Sequence, residues 1–242
     1  MSLNAPLITP YVGKKAPALG PCAIIASTLP DLQMLRGLLG LPKDKYQQLN
    51  MSRLFRGQKE SAPCLVGPVT GAPYAVIILE TLIAWGVQQV VFVGWCGSIA
   101  INVKIGDMIL PDAAFIDEGT SSHYQASQTA CVKPSNKFLL KLEEQLTGNG
   151  LDYHKGSVWT TDAVFQETPR QVKYYQNKGA IGVEMEISAL FTVAAFHKID
   201  FAAILTVSDE LGDYNWRPGF KDAVFKQRCN NVCRAACDFF GR

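Results

Sequence analysis

A single α/β domain over residues 1–242 is the fold that this sequence predicts, and three observations support it. The chain has 242 residues, 48% hydrophobic and 18% charged, which is apolar enough for a large core and too poor in charge for a disordered chain or a coiled coil. Short β-rich runs alternate with longer segments of helical spacing, as in a sheet covered by helices. After Gln89, the run from Val90 to Val93 is apolar without interruption, as in a central strand buried on both faces.

Residues 21–26 read as the first strand. A helix over 28–39 follows, with Pro30 suited to its first turn and Leu32, Leu35 and Leu39 on one face. Residues 64–69 form the next strand. Gly71-Ala72-Pro73 opens a helix to Trp85, and Gly86 stands where a helix stops. Strands over 89–93 and 107–110 come next, then a loop over 118–130 rich in Ser, Thr and Gln, predicted to lie across one end of the fold. Ser135 is positioned to cap a helix that buries Phe138, Leu142 and Leu146 and stops at Gly148. Residues 156–165 return to strand and loop. A helix over 186–198 places Ile187, Leu190 and Ala194 together, 201–207 is a buried strand, and Phe225, Cys229, Val232, Ala236 and Phe239 mark a closing amphipathic helix.

Composition excludes several classes of function. Lys and Arg number 23 against 21 Asp and Glu, a net charge of +2 with no long run of either sign, so nucleic acid and membrane surfaces are not expected partners. Glu80, Gln88 and Gln89 interrupt the most apolar region, which falls short of a membrane span. Residues 1–15 lack the pattern of a secretory signal, so a soluble cytoplasmic protein is expected. The seven cysteines contain no C-x-x-C and sit mostly in apolar segments, as buried thiols do. Cys229, Cys233 and Cys237 recur every four residues, but no His or carboxylate completes a metal site with them. Neither a metal nor a cofactor is expected.

Three segments carry polar residues that packing does not require: Gly94-Trp95-Cys96-Gly97-Ser98, Gly182-Val183-Glu184-Met185-Glu186 and Thr206-Val207-Ser208-Asp209-Glu210. The first and third follow apolar strands, where open α/β sheets bind ligands. Glu184 and Glu186 also suit a helix N-terminus as simple dipole partners, and Asp209 suits an N-cap.

In this order and spacing the segments resemble the nucleoside phosphorylase and nucleosidase superfamily, along nearly the whole chain. Gly71-Ala72-Pro73 is similar to that family's helix start, residues 94–97 to its phosphate-side loop, Val183-Glu184-Met185-Glu186 to its ribose motif and Ser208-Asp209 to its purine-type acid motif. The resemblance implies a mixed, partly barrel-like sheet flanked by helices, a homo-oligomer, and cleavage of the N-glycosidic bond of a small-molecule nucleoside. It also implies that Glu186, with Met185 and Glu184, holds the ribose, and that Asp209, as a carboxylic acid, protonates the departing base beside Ser208. Those residue types suit a bond whose cleavage leaves positive charge on the sugar and negative charge on the base. Trp159 and Phe165 fall where relatives present an aromatic ring to the base. Gln166 and Arg170 fall where uridine-cleaving relatives read uracil, and His123 lies in a loop similar to one of theirs. Purines are favoured over uridine, because a pyrimidine has no N7 to protonate.

The likeness breaks at the acceptor. Phosphorolytic relatives hold phosphate with arginines and a hydroxyl, but here Phe92-Val93-Gly94-Trp95 has neither, and Asp31 stands about where an early loop carries another arginine. Water activated by Asp31 is therefore expected as acceptor. Phosphate held by Arg53 or Arg56 is the alternative, as is a nucleoside-binding protein without turnover in which Trp95 fills the phosphate pocket.

Overall fold

In a computed structural model that describes residues 6–13, 16–59, 62–125 and 129–241, eleven strands join one mixed sheet. In chain order the elements are β1 (Cys22–Ala26), α1 (Leu29–Leu38), β2 (Gln47–Leu49), β3 (Ser52–Phe55), β4 (Cys64–Gly67), α2 (Ala72–Ala84), β5 (Gln89–Ser98) and β6 (Met108–Asp117). They continue with β7 (Cys131–Val132), α3 (Asn136–Gly148), β8 (His154–Thr161), α4 (Pro169–Asn177), β9 (Ala180–Glu184), α5 (Ile187–His197), β10 (Asp200–Glu210), β11 (Arg217–Pro218) and α6 (Ala223–Phe239). The strand order is β11-β10-β6-β8-β9-β5-β1-β4-β3-β2, and an additional β10–β5 pairing closes β10, β6, β8, β9 and β5 into a ring. The partly barrel-like, mixed α/β fold is thus observed.

Two apolar layers hold the sheet. One packs Ile25, Phe92 and Phe201 against Ile78 and Leu79 of α2 and Leu190 of α5. The other packs Ile24, Val91 and Ile204 against α1, α3 and α6, where Cys233 and Cys237 are core residues. Among the described residues no cysteine forms a disulfide, and five of the seven are buried.

Several boundaries differ from the expectation. The glycine-rich segment at 94–98 is not a loop: β5 runs through it to Ser98, paired with β10 on one side and with β9 at its end. The bulge in β10 between Val207 and Asp209 lies beside this stretch. A Cβ at Gly97 would stand 2.6 Å from Leu211 Cδ1 and 3.2 Å from Asp209 Oδ2, so a larger residue there must displace the Leu211 side chain. Asp209 accordingly lies within a strand rather than at an N-cap. Ser135 occupies the N-cap position of α3, but its hydroxyl donates to Asp200 at 2.7 Å instead of capping. Strands β2, β3 and β9 are only three to five residues long and helix α4 is largely polar, so none stands out from the sequence. Part of the polar loop, residues 126–128, lies outside the described residues.

Candidate active site

A cavity of about 460 Å³ opens at the carboxyl ends of β1, β5 and β10, where the sheet closes on itself. Its walls come from distant parts of the chain: Ser27, Thr28 and Thr70; Trp95 to Gly97; Val164, Phe165 and Glu167; Val183 to Glu186; and Ser208, Asp209, Leu211, Trp216 and Phe220.

The Glu184–Glu186 wall is built where β9 turns into α5. Glu184 Oε2 accepts from the backbone N–H of Glu186 at 2.6 Å and of Ile187 at 2.7 Å, and Thr160 donates its hydroxyl to Glu184 Oε1. This carboxylate therefore satisfies the start of α5, as a helix N-terminus favours. Glu186 is freer. Its Oε1 accepts from the Gly71 N–H at 2.6 Å, and the Met185 backbone N–H also faces the carboxyl. Gly71 precedes α2 at φ 83°, a conformation that favours glycine. Burial pushes both carboxyls above the usual carboxylate range, and the charge of Glu186 adds to the effect on Glu184.

Asp209 anchors the opposite wall. Its Oδ1 accepts from the Ser208 hydroxyl at 2.6 Å and its Oδ2 from the Trp216 indole N–H at 2.9 Å. Glu167 lines the same region, and burial together with the charge of Asp209 pushes it up to about 7. At the mouth, Phe165 is 96% exposed, and Trp216 and Phe220 are partly exposed.

The third wall carries Ser27, Thr28, Thr70 and Trp95. Asp31 lies behind it, 1% exposed, accepting from the Thr28 hydroxyl at 2.8 Å. Burial pushes Asp31 up to about 6, opposed by Thr28 and by the nearby Trp95 indole. Neither that indole N–H nor the buried Ser27 hydroxyl has a partner in hydrogen-bond geometry among the described residues. Trp95 packs edge-on to Phe225 at 5.0 Å.

Of the residues singled out in the sequence, Glu184, Met185, Glu186, Phe165, Ser208, Asp209, Trp95, Cys96 and Gly97 meet in this cavity. Asp31 reaches it only through Thr28. Trp159 does not line it: fully buried, it stacks on Tyr175 at 4.5 Å and donates its N–H to Asp117 at 2.9 Å. Its burial follows from its inward position on β8, a strand covered by α4 and β9. Gln166 and Arg170 are exposed and outside the walls, and Gly94 is buried within β5. Arg53 lies over the Tyr46 ring at 5.1 Å, and Arg56 is exposed beside Gln47. His123 sits exposed on a short 3-10 turn away from the cavity. Glu167, Trp216, Phe220, Ser27 and Thr70 were not foreseen. Glu167 adjoins Gln166 and was open to notice, whereas Trp216 is tied to Asp209 only by the turn between β10 and β11.

A family model of the phosphorylase superfamily matches residues 23–240. The chain belongs to that superfamily. Among similar relatives of this superfamily member is a DeoD-type purine nucleoside phosphorylase of Caldanaerobacter subterraneus subsp. tengcongensis, 28% identical over 158 residues, which cover 65% of this chain and 67% of the relative. The solved AMP nucleosidase of Bacteroides thetaiotaomicron is 26% identical, with a TM-score of 0.71 over 90% of this chain and 88% of that one. The uridine phosphorylase of Vibrio fischeri has the same fold, with a TM-score of 0.78, 23% identity and 92% of each chain covered. Among the described residues no helix is long and apolar enough to cross a membrane.

Proposed function

We propose that this superfamily member hydrolyses the N-glycosidic bond of a purine ribonucleoside. The Glu186 carboxylate accepts hydrogen bonds from the vicinal hydroxyls of the sugar, with the soft thioether of Met185 against the ring. The base lies toward Asp209 and Glu167, under Phe165 and Trp216. Positive charge that develops on the sugar as the bond stretches is stabilised by the carboxylates around it. Water attacks the anomeric carbon from the Thr28 wall. Its proton passes to the Thr28 hydroxyl as that hydroxyl gives its own proton to Asp31.

The observation that carries this function is the charge of the cavity. Four acidic side chains, Glu167, Glu184, Glu186 and Asp209, line it, and no Lys, Arg or His does so among the described residues. A phosphate dianion requires charge-assisted donors, and Arg53 and Arg56 are engaged elsewhere on the surface. A neutral acceptor suits these walls. The purine preference rests on the acid at Asp209, while Gln166 and Arg170 stand outside the cavity in which uracil would have to be read.

Incubation with purine ribonucleosides, with and without phosphate, tests it. The expected product is free ribose at a rate indifferent to phosphate. Ribose 1-phosphate as the main product contradicts it.

A further inference from the structure

We propose that Thr160 positions Glu186 for the vicinal hydroxyls of the sugar, by fixing the backbone from which that carboxylate projects. This role rests on the sugar contact of Glu186 proposed above and deepens it.

Strand pairing brings the groups together. Thr160 on β8 is the register partner of Glu184 on β9. The preceding residue, Trp159, points onto Tyr175, and the alternation of a strand turns Thr160 to the opposite face, where Glu184 stands. Both side chains are buried, that of Thr160 fully.

One hydroxyl then serves two partners. Thr160 Oγ1 donates to Glu184 Oε1 and accepts from the Ser188 N–H at 2.9 Å. Glu184 Oε2 accepts from the N–H groups of Glu186 at 2.6 Å and Ile187 at 2.7 Å. Three successive N–H groups at the start of α5, those of 186, 187 and 188, are therefore held by Thr160 and by the carboxyl that Thr160 anchors. These are donors that a helix leaves unsatisfied. Glu186 occupies the N-cap position of α5, but its own side chain makes no capping bond. Its carboxyl is turned instead to the Gly71 N–H and the cavity. The division of labour is clear: Thr160 and Glu184 finish the helix, and Glu186 is left for a ligand.

The neighbouring hydroxyl does not duplicate the anchor. Ser188 Oγ donates to Glu118 at 3.0 Å, on the side of residues 118–121. Without the Thr160 hydroxyl, Glu184 Oε1 and the Ser188 N–H both lose the partner that buried polar groups require. The first turn of α5 then shifts to recover those bonds, and Glu186 moves with it. A carboxylate that grips two hydroxyls at once tolerates a displacement of only about 0.5 Å.

The test measures, by calorimetry, the binding of a purine C-nucleoside, whose glycosidic C–C bond does not break, and of its 2′,3′-dideoxy counterpart. Wild type is expected to bind the ribose compound about tenfold or more tighter. Thr160→Val removes the hydroxyl at nearly constant shape. That preference should fall below about threefold, through weaker binding of the ribose compound, while affinity for the dideoxy compound changes less than about twofold. Thr160→Ala, which adds no methyl against the carboxyl, is expected to give the same loss. Thr160→Ser keeps the hydroxyl and should keep most of the preference. Valine and alanine variants that retain the wild-type preference, or that bind both compounds equally more weakly, overturn the positioning role and leave the sugar contact standing. A wild-type protein that does not distinguish the two compounds overturns both.

Discussion

The wall assigned here to the sugar and the wall assigned to the acceptor each have a buried carboxyl, Glu186 in one and Asp31 behind the other, and they are finished differently. At the sugar wall the carboxyls are held by backbone N–H groups: Glu184 is consumed by the start of α5, and Glu186 accepts from Gly71 and faces the Met185 N–H. At the acceptor wall the Ser27 hydroxyl and the Trp95 indole N–H are buried with no partner in hydrogen-bond geometry among the described residues, and Asp31 is buried behind them. A pre-organised wall suits a ligand group that is the same in every turnover. Unpartnered donors around a buried acid suit a small, exchangeable molecule such as water, which supplies the missing hydrogen bonds.

The largest expected effect breaks the sugar wall. Glu186→Gln replaces charge-assisted hydrogen bonds, worth roughly 1.5–3 kcal/mol each, by weaker ones, so kcat/KM should fall on the order of 10³-fold. Steady-state kinetics on a purine ribonucleoside measures it, and a loss below about tenfold would detach Glu186 from the sugar.

Asp31→Asn sharpens the contrast from the other side. Without its base the reaction should lose about 10²-fold in kcat. Its effect on stability has the opposite sign. The folded carboxyl is raised from 3.8 to about 6, so its contribution favours the native state below the unfolded value and is lost as pH rises through 6. The variant escapes that penalty. Thermal denaturation should therefore find it more stable than wild type at pH 8, by on the order of 3 kcal/mol from a shift of about two units, and no more stable near pH 3.5.

Thr28 separates chemistry from capping. Thr28→Ser keeps the hydroxyl that both caps α1 and donates to Asp31, and should retain kcat within about threefold. Thr28→Val should lose roughly tenfold or more in kcat, and about 1 kcal/mol of stability with the cap. Equal kcat in the two variants would remove the relay. The smallest effect is expected at Arg53 and Arg56. Methionine at either position should change kcat/KM less than about twofold, since neither side chain reaches the cavity and exposed contacts contribute little.

What the sequence makes readable follows from how each wall is assembled. Glu184, Met185 and Glu186 are adjacent in the chain, and Ser208 and Asp209 end an apolar strand, so a local motif carries them. The alternating strands and amphipathic helices of the core are readable for the same reason, because periodicity is local. The acceptor wall joins the end of β1, the start of α1 and the middle of β5, and no spacing within one segment reveals that Thr28 stands between Asp31 and the cavity. Trp159 shows the opposite failure. Its position in a motif favoured a ligand contact, but β8 turns it inward onto Tyr175, a fact fixed by strand register rather than by composition. Trp216 reaches Asp209 across the β10–β11 turn, which depends on pairing that only the folded chain displays.

A crystal structure of the protein with a non-hydrolysable purine nucleoside analogue tests the central claim most directly. The expected complex has Glu186 on both vicinal hydroxyls, the purine against Asp209 and Glu167, and an ordered water beside Thr28. An analogue bound elsewhere, or one that touches Glu186 without reaching Asp209 or Glu167, contradicts the account.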